Sequence, residues 1–238
     1  MLATIVNAIA LLFGGIIGLL IRKGIKQNII DAVNQAQGIS IFLIGITGIM
    51  TSGMLVDLEA GTIGFSGSLL LLLSLVFGVA IGETLRIDDR LHAWGKKVES
   101  RFQTSDLAEG FISGSIIMCM GALAILGSFN AGLRGDYNLL FLKCALDAVT
   151  AMVIAATLGY GVLFSALTVL FYQGALTLCA GFLAPVLTET LINEICVVGY
   201  AIVMIIGLNF LKITNMKTAN FLPALLGPVI WRLVVSLF

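Results

Sequence analysis

Apolar residues in this chain fall in long, nearly unbroken runs separated by short polar stretches. A helix needs about 20 such residues to cross a hydrocarbon core of about 30 Å. Segmenting by these runs predicts spans near residues 2–21, 39–55, 66–85, 108–127, 139–158, 162–183, 192–211 and 221–237. Two breaks are chemically sharp. Gly159-Tyr160-Gly161 leaves little chain between the fifth and sixth spans, and Pro185 closes the sixth because proline cannot continue the backbone ladder. Spans five and six are therefore expected to form an antiparallel hairpin. The first run is followed by Arg22 and Lys23 rather than preceded by basic residues, the reverse of a signal peptide, so it is read as a span.

Composition supports the same picture. Of 238 residues, 59% are apolar and 11% charged, against about a quarter charged in ordinary globular domains. The expected fold is all-α: a polytopic transmembrane helix bundle of about eight helices, one transmembrane domain over residues 1–238, with the lipid bilayer as solvent. A formal net charge of zero offers no support for a nucleic-acid partner. Cys119, Cys144, Cys179 and Cys196 all lie in apolar stretches without C-x-x-C spacing and read as packing residues. His92 is the only histidine, so neither a metal site nor a cofactor is expected.

Basic residues decide the expected orientation, because short loops rich in Lys and Arg stay in the cytoplasm. Arg22, Lys23 and Lys26 follow span one, Arg86 to Arg101 follow span three, and Lys212 and Lys217 follow span seven. These alternate loops share one side, which places both termini outside the cytoplasm. Between spans three and four, Ile87, Leu91, Trp94, Val98 and Phe102 recur at helical spacing among Arg90, Lys96, Lys97 and Arg101. That pattern predicts an amphipathic helix lying in the cytoplasmic interface.

Candidate chemistry concentrates in spans four to six. Lys143 and Asp147 stand one turn apart inside span five, where an isolated charge costs several kcal/mol or about that order. On one helix face they can neutralise each other, as a functional pair or as a structural lock. Gly110, Gly114, Gly121 and Ser128 are expected to share one nearly bare face of span four, either for helix packing or for exposing carbonyls to a solute. The connection from Gly127 to Tyr137, carrying Asn130 and Asp136, is expected to be flexible; it either re-enters the bundle or forms a surface turn with an Arg134–Asp136 pair. Tyr172 and Gln173 lie deep in span six, and Gln173, with Asn209 of span seven, is expected to face the charged pair. Glu83 and Arg232 sit near opposite membrane surfaces, where they can snorkel. Gly14 with Gly18 and Gly78 with Gly82 are spaced for close helix contact, and such faces are compatible with a homo-oligomer.

The stretch Cys119-Met120-Gly121-Ala122-Leu123-Ala124-Ile125-Leu126-Gly127-Ser128, with Gly135-Asp136-Tyr137, Lys143, Leu146-Asp147, Gly161 to Ala166 and Tyr172-Gln173-Gly174, resembles the bacterial membrane family called domain of unknown function 554. The likeness extends to the opening Thr4-Ile5-Val6-Asn7 and the closing Ala219 to Ala224. It implies a multi-pass protein of the bacterial inner membrane and supplies no activity. The residues themselves point to a secondary transporter or channel for a small polar solute or ion. Its candidate lining is Asp147, Lys143, Gln173, Ser128, Asp136, Asn130, Gly121 and Tyr172. Asp147 would bind a cation or proton, and Lys143 would tune it or contact an anion. The alternative is a membrane scaffold or regulatory subunit docking a partner through the basic loop 86–106. An enzyme is not expected, since neither a nucleophile with a base nor a metal with ligands is present in the pattern.

Overall fold

The structure, a computed structural model, describes all residues except 1, 22–25, 58–61, 66, 103–105, 120–121 and 236–238. The chain is all-α and polytopic. Its helices are α1 (Leu2–Leu20), α2 (Gln27–Gly53), α3 (Ser68–Leu85), α4 (Ile87–Phe102), α5 (Asp106–Cys119), α6 (Ala122–Arg134), α7 (Asn138–Leu158), α8 (Ser165–Leu183), α9 (Glu189–Phe210) and α10 (Gly227–Val235). Tighter 3-10 segments cover Gly159–Phe164, Ala184–Val186 and Thr218–Leu226. Among the described residues, six helical stretches are long and apolar enough to cross a membrane, or seven if the bent pair α5 and α6 is one span. One stretch, Asn138–Leu183, has 46 residues. At about 1.5 Å per residue that is more than twice the thickness of a hydrocarbon core. It holds both the fifth and sixth spans of the sequence.

The α7–α8 hairpin is as expected. Gly159, at φ 75°, adopts the left-handed backbone that ends α7. Asp147 of α7 and Gln173 of α8, far apart in sequence, both reach the same Asn7 nitrogen, so the chain folds back between them. Gly161 in the turn abuts the backbone of Leu107, an approach any side chain would obstruct.

Several expectations change. Span four is not one helix: α5 and α6 are bent by 59°, so Gly110 and Gly114 do not share a continuous face with Ser128. Gly121 lies outside the described residues. Second, the stretch from Gly127 is not flexible, because α6 runs on to Arg134 and only residues 135–137 leave the helix. Ser128, Asn130 and Ala131 are buried there, and packing overrides the low helix propensity of Gly127 and Gly132. Third, the last span begins as a 3-10 segment, since Pro223 has no N–H for an α-helical ladder. Fourth, the second helix ends at Gly53, and a short hairpin pairs β1 (Met54–Asp57) with β2 (Thr62–Phe65), Met54 opposite Phe65, over the last residues of the predicted second span and the connection after it. The second span also starts earlier than predicted. Its polar opening, including Gln27 bonded to Asp31, contains no Pro to prevent the helix from starting there.

The chain divides into two compact units, Met1–Val33 with Asp89–Ala184, and Asn34–Asp88 with Pro185–Phe238. Each is packed in the manner of a membrane protein, with small residues inward and large apolar ones outward. In the first, α1 turns Thr4, Asn7, Ala8, Leu11, Gly14 and Gly18 inward, while Ile5, Ile9, Phe13 and Ile16 are exposed. Gly14 and Gly18 bring α1 against the Ala148 and Met152 carbonyls of α7. Below that seam Ala8, Leu11, Met118, Ala151, Val162 and Val169 form the apolar core.

In the second unit, Gly78 and Gly82 of α3 meet Ala224 and Asn220, and Gly45 and Gly48 of α2 meet Met204 and Tyr200 of α9. The Asn220 side-chain oxygen accepts the Asp88 N–H at 2.8 Å, tying the start of α4 to this unit. Arg232 holds Glu194 with two hydrogen bonds, 3.0 and 2.6 Å. As an ion pair with nearly half the arginine exposed, it contributes at most about 1 kcal/mol. Asn209 does not serve the charged pair: its side chain bonds Thr214 and the backbone of Met216, closing the turn after α9.

Candidate functional site

The site is built where α5 stops. The last four carbonyls of a helix have no intrahelical partner, and in a membrane such groups must be satisfied from within the protein. Met118, in the last turn of α5, presents its carbonyl to the Lys143 ammonium at 3.0 Å. A cation suits this place, because the carbonyl end of a helix is its negative pole.

Lys143 also contacts the Asp147 carboxylate at 2.5 Å, one turn along α7. The two are 4% and 5% exposed, so the pair is sealed rather than open to a water-filled cavity. From α1, the Asn7 side-chain N–H group donates to Asp147 at 2.8 Å and to the Gln173 side-chain oxygen of α8 at 3.0 Å. Four helices thus converge on one buried polar centre, with a carboxylate, an ammonium, two amides and a helix-end carbonyl. Cys144, beside it in sequence, turns away and points its thiol at the Leu140 carbonyl.

The centre is not fully satisfied. Asn7 Oδ1, Gln173 Nε2, Ser128 Oγ and Thr177 Oγ1 are buried with no hydrogen-bond partner among the described residues. Buried polar atoms in native proteins nearly always have partners, from protein, water or a ligand. These four belong together. Gln173 and Thr177 are one turn apart on α8, and a Cβ at Gly132 of α6 would lie 2.5 Å from the Thr177 carbonyl oxygen. Met118 meets Ser165, and Gly132 meets Thr177 further along, so α5–α6 and α8 advance in the same direction. Ser128, one turn before Gly132, therefore faces α8 near the level of Gln173.

Of the predicted lining, the structure brings together Lys143, Asp147 and Gln173, with Ser128 adjoining. Tyr172 is half-buried and looks elsewhere. With Cys119, Leu91, Trp94, Phe111 and Ser115 it lines a mostly apolar cleft of about 400 Å³ between α4, α5 and α8. The Ser115 hydroxyl bonds Thr168 at 3.0 Å in the wall of that cleft. Asp136 and Asn130 serve the α6–α7 turn: the Asp136 carboxylate accepts the Asn138 N–H at 3.0 Å, and the Asp136 N–H donates to the Asn130 carbonyl at 3.3 Å. Among the described residues, no three His, Cys, Asp or Glu side chains gather as a metal-ligand set.

Asn7 is the side chain of this polar centre that sequence reading did not select. Its signal is present, a lone amide in an otherwise apolar span, but weak beside a formal charge. The Met118 carbonyl carries no signal in sequence at all.

The family model described as Protein of unknown function (DUF554) matches residues 2–233. The chain is 34% identical over 238 residues to the Uncharacterized membrane protein YdfK of Bacillus subtilis (strain 168), covering 100% of this chain and 98% of that one. It is 25% identical over 228 residues to the Uncharacterized protein YqgA of Escherichia coli (strain K12), covering 93% and 92% respectively. No solved structure matches the chain.

Proposed function

Because the chain belongs to the DUF554 family, whose description carries no activity, its role has to be read from its own residues, and we propose that it is a non-enzymatic secondary transporter or channel for a small polar solute or ion in the bacterial inner membrane. The observation that carries this reading is the broken helix. α5 ends mid-path with its Met118 carbonyl on Lys143, which is paired to Asp147. Discontinuous helices whose ends meet buried polar groups are how many secondary transporters build a solute site, and intramembrane charges are rarely retained without a task. With the pair sealed, passage requires α1 or α5–α6 to move off α7 and α8. On this reading both termini lie on the non-cytoplasmic side, an orientation that rests on the basic residues of alternate loops.

Reconstituted into proteoliposomes, the protein is expected to carry solute, and Asp147→Asn to slow that flux by about tenfold or more, the effect of losing one charged hydrogen bond. Flux unaffected in a monodisperse Asp147→Asn protein counts against this assignment.

A second reading is favoured by α4, where Trp94 is 60% exposed beside exposed Arg90. A scaffold docking a partner through 86–106 predicts that shuffling residues 86–101 abolishes its biological effect while Asp147→Asn leaves it intact.

A further inference from the structure

We infer that the buried centre takes a small neutral solute bearing both hydrogen-bond donors and acceptors, of the chemistry of urea, acetamide or glycerol, and not a free ion. This rests on the transport reading and narrows it.

The argument is one of charge and valence. Lys143 and Asp147 neutralise each other at 2.5 Å, and both are sealed from solvent. A cation arriving here meets an ammonium already seated on the helix-end carbonyl and the carboxylate, the groups the cation would need. An anion meets a carboxylate and finds the one ammonium engaged. Either ion would give up its hydration without gaining an uncompensated partner.

The unused valences are of a different kind. Asn7 Oδ1 needs a donor, Gln173 Nε2 needs an acceptor, and the Ser128 and Thr177 hydroxyls can serve as either. A neutral molecule with N–H or O–H on one side and an oxygen on the other satisfies the set without disturbing the pair. Asn7 links the two halves of the arrangement, since its N–H group already holds Asp147 and Gln173 in place. The pair then acts as a positioning device: Lys143 anchors the end of α5, Asp147 orients the Asn7 amide, and the amide leaves its oxygen for the solute.

The full chain, in vesicles of phosphatidylethanolamine and phosphatidylglycerol, is tested by stopped-flow light scattering. Vesicles are shrunk with urea, acetamide or glycerol and, separately, with potassium chloride plus valinomycin or sodium acetate plus a protonophore, so that the counter-charge can follow an ion carried by the protein, and their re-swelling is followed. Faster re-swelling than protein-free vesicles with the neutral solutes, and none with the salts, is expected. Ser128→Ala and Thr177→Val should each lower the neutral flux by about three- to tenfold, the effect of one lost hydrogen bond. Their thermal midpoints should be unchanged or raised, because each removes a buried hydroxyl without a partner. A merely structural role for these hydroxyls would leave the flux alone. Salt flux without neutral flux overturns the inference and leaves the transport reading standing. Water flow alone overturns it likewise. Absence of any flux overturns both, and neutral flux insensitive to both variants overturns the assignment of the solute to this centre.

Discussion

Replacing Lys143 with methionine is expected to destabilise the detergent-solubilised protein by about 3–5 kcal/mol, whereas the double variant Lys143→Met with Asp147→Leu recovers most of that loss. The single change leaves a 5% exposed carboxylate without its cation and the Met118 carbonyl without its donor. The double change removes the charge instead of stranding it, and apolar groups of similar volume often replace a buried ion pair at little cost. The two stabilities are read by denaturant titration in mixed micelles. Transport in the same proteins separates the two roles weighed for the pair. If the refolded double variant moves solute as well as the native protein, Lys143 and Asp147 are a structural lock and the transport assignment loses its main support. Recovered stability with flux still absent is the expected result.

Valine at Gly14 or Gly18 is the second large effect, an expected loss of about 1–3 kcal/mol at each position. The obstacles are the Ala148 and Met152 carbonyls of α7, parts of a helix backbone that cannot rotate aside as a side chain would. Relief comes only if α1 moves outward. That motion carries Asn7 away from Asp147 and Gln173, so flux should fall further than stability alone accounts for. A Gly18→Val protein with native stability and native flux would show that α1 does not hold the polar centre together.

Much of the site was legible because a charge in an apolar run announces itself at the level of composition. Lys143 and Asp147 were paired from their spacing alone, since residues four apart on a helix share a face whatever surrounds them. Gln173 stood out for the same reason. Ser128 was legible as a residue, but a straight span four aligned it with Gly110 and Gly114, and the 59° bend breaks that shared face. Asp136 and Asn130 were drawn in by closeness along the chain, yet their described bonds are local to the start of α7. Asn209 illustrates the same limit from the other side: its partners are a few residues downstream, where no long-range pattern reveals them.

Sequence by itself determined that this is an all-α, polytopic membrane protein, where most of its spans lie, and that a hairpin joins the fifth to the sixth. Run length, proline position and a glycine-bounded turn are properties of each segment, read without knowing its neighbours. Tertiary structure alone decided that α5 stops short, that Lys143 caps its freed carbonyl, and that Asn7 bridges α1 to α7 and α8. A backbone carbonyl has no letter of its own, and the convergence of four helices depends on which small faces meet. Whether a buried amide or hydroxyl is satisfied is a property of that meeting, not of the residue.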